Sequence, residues 1–301
     1  MIDYSIGAVD IGGTKIMVGI ADSQGQVICS QSFPTILGAG GAEGSLMKIV
    51  QLLEQQRKKI PEALQCLRRI GVVCAGPVDT KKGIVQNPYT LPGWEEFPLS
   101  KRLSDETGVP VFMENDANGA LIGEVTLRGL RKSRVLMVTV GTGIGAAFMD
   151  QGELYQTGQG YHPEMGHIVI SSKGDVCYCG QKGCFESMCS GTAVNKRATQ
   201  KGYADFDELF TIGKSGDKTA MEMLDQISED FSRGLWNLCV IFKPAVVILG
   251  GGIMDKYYSF FSERFSIFIK GREDFVGTLS VVKAEAQASA ALVGAAQLKN
   301  K

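Results

Sequence analysis

The chain has 301 residues, of which 44% are hydrophobic and 21% charged, as in globular proteins with a large buried core, and this length favours two domains. Its 31 basic and 32 acidic residues give a net charge of −1, and no Lys/Arg block stands out, so the basic surface typical of nucleic-acid-binding proteins is missing. No segment approaches the ~20 apolar residues of a membrane span, and no signal peptide is predicted.

The first half alternates strand-like and helical segments and opens with a hairpin around a Gly-Gly turn. The predicted elements are strands over 6–12 and 16–22, a helix over 42–59, strands over 69–76 and 109–116, and a helix over 117–128. Several of the strands end in glycines. This alternation favours an α/β fold.

The second half opens on the same plan. VTVGTGIGAAFMD resembles VDIGGTKIMVGIAD, since in both an apolar strand enters a glycine turn and a second strand leaves it. Helical patterns over 190–242, a strand over 245–254 and an Ala-rich helix over 284–298 follow. The repeated plan predicts two related halves, with a boundary near residue 118.

Glycines cluster at three strand ends, in DIGGTK (10–15), GTGIG (141–145) and GGG (250–252). Backbone N–H groups in such turns can approach phosphates closely, although each cluster alone is more often just a turn. Gly141, Gly143 and Ala146 also fit the dinucleotide motif G-x-G-x-x-A, but that motif requires a helix where AAFMD predicts a strand. No P-loop sequence occurs.

A cysteine cluster follows the second of only two histidines. His167, Cys177, Cys179 and Cys184 are spaced H-x9-C-x-C-x4-C, a donor set that suits tetrahedral Zn²⁺ with all positions filled by protein, hence a structural zinc. The alternative is a group of buried thiols beside a core histidine. Such a cluster in a large chain indicates a reducing compartment, so we expect a cytoplasmic protein.

Four acids are candidates for chemistry. Asp116 stands where a strand meets a helix, where it is either a helix cap or a base able to take a proton from a hydroxyl. Asp10 lies in the first glycine turn and suits the placing of Mg²⁺. Glu164 and Glu186 flank the cysteine cluster and suit hydrogen bonds to hydroxyls.

Together these motifs resemble the ROK family of bacterial sugar kinases, repressors and related proteins. DIGGTK, VTVGTGIGAA and LGGGIM resemble its phosphate loops, and END, EMGH and CYCGQKGCFE its catalytic, sugar and zinc segments. The resemblance covers nearly the whole chain. It implies the two-domain actin-like (ribonuclease H-like) α/β sugar-kinase fold with a central ligand cleft, the domains being 1–118 plus 288–301 and 119–287.

The resemblance also implies ATP-dependent phosphorylation of a hexose hydroxyl, most simply the 6-hydroxyl as in glucokinases, with Asp116 as general base. ATP, Mg²⁺ and a structural Zn²⁺ would be the cofactors, and a homodimer is expected. Sugar contacts are implied for Gly76, Asn87, Asn115, Asp116, Glu164, His167 and Glu186. Nucleotide or Mg²⁺ contacts are implied for Asp10, Gly12, Gly13, Thr14, Lys15, Gly141, Thr142, Gly143, Gly250, Gly251 and Gly252.

Two features leave the sugar open. His162-Pro163 before EMGH resembles the family's fructokinases, whereas CYCGQKGCFE resembles the metal segment of its glucokinases and amino-sugar kinases. Fructokinase, N-acetylmannosamine or N-acetylglucosamine kinase and β-glucoside kinase are therefore alternatives. His162 either shapes the sugar pocket or is a loop histidine fixed by its proline.

A regulator is the alternative from another class. Repressors of the family place a helix-turn-helix domain before the first glycine turn, and here that turn is reached at Asp10, so we do not expect a DNA partner. A non-catalytic sugar-binding regulator is the other possibility. The four acids at the expected positions favour a kinase acting on a small sugar.

Overall fold

The computed structural model describes residues 4–157, 162–285 and 287–299. The chain divides into two compact units. Unit 1 comprises Met1–Arg131, Leu154–Pro163 and Glu285–Lys301, and unit 2 comprises Lys132–Glu153 and Glu164–Ala284. Each unit contains its own mixed β-sheet and its own hydrophobic core.

The strands are β1 Ser5–Ile11, β2 Lys15–Ala21, β3 Val27–Pro34, β4 Leu67–Cys74, β5 Val78–Asp79, β6 Ile84–Val85, β7 Val111–Asn115, β8 Arg134–Val140, β9 Ile144–Asp150, β10 Glu153–Leu154, β11 Val246–Gly250 and β12 Ser280–Lys283. The α-helices are α1 Gly41–Arg57, α2 Leu99–Thr107, α3 Asp116–Arg128, α4 Phe185–Cys189, α5 Gly191–Gln200, α6 Phe206–Lys214, α7 Lys218–Phe242, α8 Gly252–Ile269, α9 Glu273–Val276 and α10 Gln287–Gln297. Short 3-10 turns lie at Glu62–Leu64 and Met165–His167. Among the helices formed by described residues, none combines the length and apolarity needed to cross a membrane.

The sheet of unit 1 has five strands in the order β3-β2-β1-β4-β7. β1 pairs antiparallel with β2 and parallel with β4, which pairs parallel with β7. Side chains alternate between the faces of β1, so Val9 and Ile11 pack in the core that includes Leu46 and Ile49 of α1. Ile6 and Ala8 instead pack in a cluster with residues of α10. The sheet is thus covered on both faces, which explains its nearly uninterrupted apolar strands.

Small residues allow α10 to lie directly against α3. A Cβ atom on Gly294 would lie 1.9 Å from the carbonyl oxygen of Gly119, and one on Gly123 would lie 1.8 Å from the carbonyl oxygen of Ala290. This backbone contact places α3 in unit 1. The predicted second domain, 119–287, differs from unit 2 in two main segments, since 119–131 and 154–163 belong to unit 1.

Unit 2 repeats the strand order of unit 1. Its five-stranded sheet runs β10-β9-β8-β11-β12, with β8 antiparallel to β9 and parallel to β11. In both units the first strand forms a hairpin with the second and lies parallel to the fourth. The predicted α/β class and the repeated strand–turn–strand plan are therefore confirmed.

The helical patterns predicted over 190–242 form three helices, and Asp205 and Asp217 cap the N-termini of the second and third. One expectation about unit 2 needs correction. The strand expected over 245–254 ends at Gly250, and α8 begins at Gly252. Gly251 makes the turn with φ 100°, and a Cβ atom there would lie 2.3 Å from the carbonyl oxygen of Val140. A side chain would be both strained and blocked at that position.

Candidate active site

Three parallel strands of unit 1 end side by side and bring candidate residues together. In the register of the sheet, Ile11 lies beside Cys74, and Cys74 beside Asn115. Asp10, Gly76 and Asn115 therefore share the carboxyl edge of this sheet, and a Cβ atom on Gly76 would lie 2.7 Å from Nδ2 of Asn115. Ligands of open α/β sheets bind at such edges.

Asp116 is the first residue of α3 but does not cap it. The cap is Asn115, whose Oδ1 accepts hydrogen bonds from the backbone N–H groups of Ala117 and Asn118. The Asp116 side chain is exposed, and its Oδ1 accepts from Ala117 N at 2.9 Å. The neighbouring asparagine therefore performs the capping, and Asp116 lies exposed at the strand–helix junction.

Asp10 lies close enough to Asp116 for their charges to interact. Burial raises the pKa of Asp10 to about 7, and the Asp116 carboxylate contributes to the rise, while Lys15 opposes it. Two neighbouring carboxylates of which one holds a proton near neutral pH are a usual sign of a site for cations or proton transfer.

The first glycine turn is braced by the residues around it. Gly12 N donates to the carbonyl oxygen of Lys15 at 3.0 Å, and Thr35 Oγ1 donates to the carbonyl oxygen of Gly12 at 2.6 Å. A Cβ atom on Gly13 would lie 2.8 Å from the carbonyl oxygen of Thr90. Thr14 and Lys15 are exposed.

Asn87 is fully buried and holds a turn. Its Oδ1 accepts from the N–H groups of Tyr89 and Thr90, and its Nδ2 donates to Thr90 Oγ1 at 2.6 Å and to the carbonyl oxygen of Ala75 at 3.2 Å. These four bonds use the full capacity of the amide. Its contact with sugar stays a prediction, and the exposed Thr90 is the group that Asn87 positions.

The two glycine clusters of unit 2 lie at adjacent strand ends. Gly250 of β11 pairs with Thr139 of β8, so Gly141–Gly143 and Gly250–Gly252 follow neighbouring parallel strands. The segment after Gly143 is strand β9, so the helix of a dinucleotide-binding motif is absent at this described position. Thr142 is exposed, and its carbonyl oxygen accepts from Thr192 Oγ1 at 2.8 Å.

Glu164, His167 and Glu186 form one cluster in unit 2. Burial raises the pKa of Glu164, with the charge of Glu186 raising it further and His167 lowering it. Glu186 Oε2 accepts from Ile144 N at 2.8 Å, which ties the carboxylate to the start of β9. A Cβ atom on Gly143 would lie 2.4 Å from that oxygen. The three side chains predicted to bind hydroxyls therefore do lie near one another.

Sequence reasoning missed Tyr178, which lies between two of the cysteines. Its hydroxyl lies 3.0 Å from Nε2 of His167, and the two rings meet edge to face with centroids 5.1 Å apart. Burial raises the pKa of Tyr178, and the carboxylate of Glu186, to which the hydroxyl is hydrogen-bonded, raises it further. An exposed tyrosine inside a metal-ligand pattern was the available signal in the sequence.

The four predicted zinc ligands also come together. The ligand atoms of His167, Cys177, Cys179 and Cys184 all lie within 4.8 Å of one another. Cys177 Sγ is 3.4 Å from His167 Nδ1, and Cys179 Sγ is 3.6 Å from Cys184 Sγ. Tetrahedral Zn²⁺ separates its ligands by roughly 3.6 Å for S···N and 3.8 Å for S···S, given Zn–S and Zn–N bonds of about 2.3 and 2.0 Å. The donors and their spacing fit zinc.

His162 belongs to unit 1, whereas the four proposed zinc ligands all belong to unit 2. Its Nδ1 lies 3.2 Å from Oδ1 of Asn118, on the first turn of α3. Burial lowers the pKa of His162 to about 4, so the ring is neutral at physiological pH. The two histidines therefore have separate roles.

Comparison with known proteins places these features in a family. The model of the ROK family matches residues 6–301. The glucokinase of Thermotoga maritima is 30% identical over 96% of this chain and 95% of its own length. The xylose repressor of Caldicellulosiruptor bescii is 28% identical over 87% of this chain and 68% of its own length.

Solved structures give the same result. A ROK hexokinase from Thermus thermophilus matches with a TM-score of 0.83 at 30% identity, covering 97% of this chain and 96% of that one. A ROK glucokinase from Streptomyces griseus in complex with glucose and AMPPNP matches with a TM-score of 0.74 at 26% identity, covering 97% and 98%. The predicted actin-like sugar-kinase fold is thereby confirmed, and the chain belongs to the ROK family.

Proposed function

We propose that this ATP-dependent sugar kinase of the ROK family phosphorylates a hexose hydroxyl, with the 6-hydroxyl of glucose as the first acceptor to test and Asp116 as the general base. The observation that carries the proposal is the exposed Asp116 carboxylate at the carboxyl edge of the unit 1 sheet, beside Asp10 of the first glycine turn. The glucokinases among the relatives, and the glucose and AMPPNP bound to one of them, support the acceptor and the donor.

In the proposed reaction Asp116 accepts the proton of the sugar hydroxyl as its oxygen attacks the γ-phosphorus of ATP. A new bond forms between the sugar oxygen and the γ-phosphorus. The bond between the γ-phosphorus and the oxygen that bridges it to the β-phosphate breaks, and ADP leaves with that oxygen. Positioning and charge stabilisation dominate phosphoryl transfer, and Mg²⁺, when bound, neutralises charge on the phosphates. Asp10 would hold that ion or its waters.

Each unit contributes residues to the proposal. In unit 1, Gly76, Asn87 and Asn115 would contact or support the sugar, and Gly12–Lys15 the phosphates. In unit 2, Glu164 and Glu186 would bind sugar hydroxyls, and His167 would contact the sugar through its ring edge, since its Nδ1 faces the thiols and its Nε2 the Tyr178 hydroxyl. Gly141–Gly143 and Gly250–Gly252 would contact the nucleotide. A structural Zn²⁺ would be held by His167, Cys177, Cys179 and Cys184. Its removal would free the backbone segments that carry Glu164 and Glu186 to move. The expected homodimer stays a prediction.

Release of ADP, coupled to an optical readout, tests the acceptor across glucose, fructose, mannose, their N-acetylamino derivatives and β-glucosides. Glucose as the preferred sugar would agree with the proposal, and preference for another would assign the enzyme to one of the alternative kinases. The xylose repressors among the relatives make a sugar-binding regulator the second candidate. Sugar binding without ADP release for any sugar would favour that function.

The base is tested by Asp116→Asn. We expect sugar binding, measured by calorimetry, to persist while turnover falls by ~10²–10⁴-fold, as on removal of a positioned base. Asp105→Asn is the control, because Asp105 is an exposed partner of Lys101 on α2 and such pairs contribute little to stability. Near-normal turnover of Asp116→Asn would rule out this role.

A further inference from the structure

A buried polar network in unit 1 includes residues on either side of the proposed base in the sequence. Glu114 and Asn118 precede and follow Asp116 by two residues and are both buried. Glu114 Oε1 accepts from Asn118 Nδ2 at 2.9 Å and from Asn115 N at 2.9 Å. The end of β7 and the first turn of α3 are thus joined by a side-chain bond that spans Asp116.

Two residues far from this junction in the sequence hold the network from outside. Gln156 Nε2 donates to the other carboxylate oxygen of Glu114 at 3.0 Å. His162 Nδ1 lies 3.2 Å from Oδ1 of Asn118. One residue therefore holds the strand side of the junction and the other holds the helix side.

The direction of the bond to His162 follows from the rest of the network. The amide nitrogen of Asn118 donates to the Glu114 carboxylate, so it is the carbonyl oxygen of Asn118 that faces His162. That oxygen can only accept, so Nδ1 of His162 carries the proton and donates it. The neutral ring of His162 at physiological pH agrees with this single tautomer.

We propose that His162 is a positioning residue for the reaction: by donating to Asn118 it fixes the strand–helix junction that presents Asp116 to the sugar hydroxyl. Part of the rate of such reactions comes from holding the base in place, and a displacement of about 1 Å can cost 10²-fold. His162 acts through Asn118 and Glu114, without touching the reacting atoms. The inference rests on Asp116 being the base.

The test compares His162→Gln, which keeps a side-chain N–H donor, with His162→Leu, which removes it. We expect His162→Leu to lower kcat roughly 10–100-fold while the KM for the sugar changes less than about 3-fold, and His162→Gln to recover most of kcat. A merely structural residue would lower the amount of folded enzyme without this rescue by the donor. If His162→Leu does not fold, His162→Glu replaces it, since a carboxylate matches glutamine in size and faces Asn118 with an acceptor.

Two results would overturn the inference. Equal kcat values for His162→Gln and His162→Leu would show that the hydrogen bond to Asn118 does not affect the reaction. A raised KM with unchanged kcat would instead make His162 a sugar contact. Asp116→Asn is assayed in parallel. If it retains turnover, the proposed base is wrong; if it is inactive while His162→Leu is normal, only the positioning role fails.

Discussion

At the scale of single residues, Asp10 links the proposed chemistry to stability. Its pKa is raised from 3.8 to about 7, mainly by burial, so the folded protein retains a proton that the unfolded chain releases between these values. Stability from this residue is therefore fully present below about pH 4 and is lost as the pH rises through about 7. A carboxylate that destabilises the protein at the working pH is retained for function in many active sites.

We expect Asp10→Asn to be more stable than the wild type above pH 7, because a pKa raised from 3.8 to about 7, at ~1.4 kcal/mol per pKa unit, corresponds to about 4 kcal/mol of unfolding free energy. The two stability curves should converge near pH 4. Thermal unfolding across pH 4–8.5 measures the difference. Mg²⁺ with nucleotide should stabilise the wild type and not the variant. A gap that does not change with pH would show that Asp10 is not the titrating group.

Tyr178 is expected to support the histidine ligand of the proposed zinc site. With Nδ1 of His167 directed towards the thiols, Nε2 carries a proton that it can donate to the Tyr178 hydroxyl, as metal-binding histidines do to a supporting group. Tyr178→Phe should weaken zinc binding about 10–100-fold in competition with a chelating dye. Tyr258→Phe is the matched control, since that hydroxyl donates to Val281 O elsewhere in unit 2. Unchanged affinity in Tyr178→Phe would remove the tyrosine from the metal site.

At the scale of elements, the contact of α3 with α10 depends on the absence of side chains. We expect Gly294→Ala to destabilise the protein by roughly 1–3 kcal/mol, because its Cβ atom would meet the backbone of Gly119. The same substitution at Gly44 in α1 is the control: its Cβ atom would lie 3.3 Å from the flexible end of Ile36 and should raise helix propensity. Chemical denaturation measures both. Equal effects at the two sites would contradict the close packing.

The sequence could predict the elements and site residues that depend on local patterns, but not those that depend on contacts between distant parts of the chain. The hairpins around Gly12–Gly13 and Gly141–Gly145 were predictable because strand periodicity and turn chemistry are local. Helix α8 was missed because its many aromatic residues obscure an apolar face, and only Gly251 marks where the strand stops. The zinc cluster was predictable from the spacing of its ligands. The partner of His162 was not predictable, because Asn118 lies 44 residues away and no short-range pattern connects the two.

At the scale of the whole molecule, the two units share one strand order but differ in the segments added to their sheets. Both sheets have the order in which the first strand pairs with the second and fourth, and each unit has its own core. Unit 1 is completed by the distant end of the chain, since Arg69 Nε donates to the carbonyl oxygen of Leu298. Unit 2 instead contains the cysteine segment. The two units should therefore respond differently to loss of the metal.

We expect chelation of zinc to speed amide hydrogen exchange over 164–190 of unit 2 and to leave the strands of unit 1 protected. The reason is that all four proposed ligands lie in one unit, in a segment with little regular structure of its own, whereas the core of unit 1 contains none of them. Hydrogen-exchange mass spectrometry with and without chelator, then with zinc restored, measures this. Cys66→Ser, at an exposed cysteine of unit 1, should behave as the wild type. Comparable loss of protection over 111–128 would mean that the metal stabilises the whole molecule and not one unit.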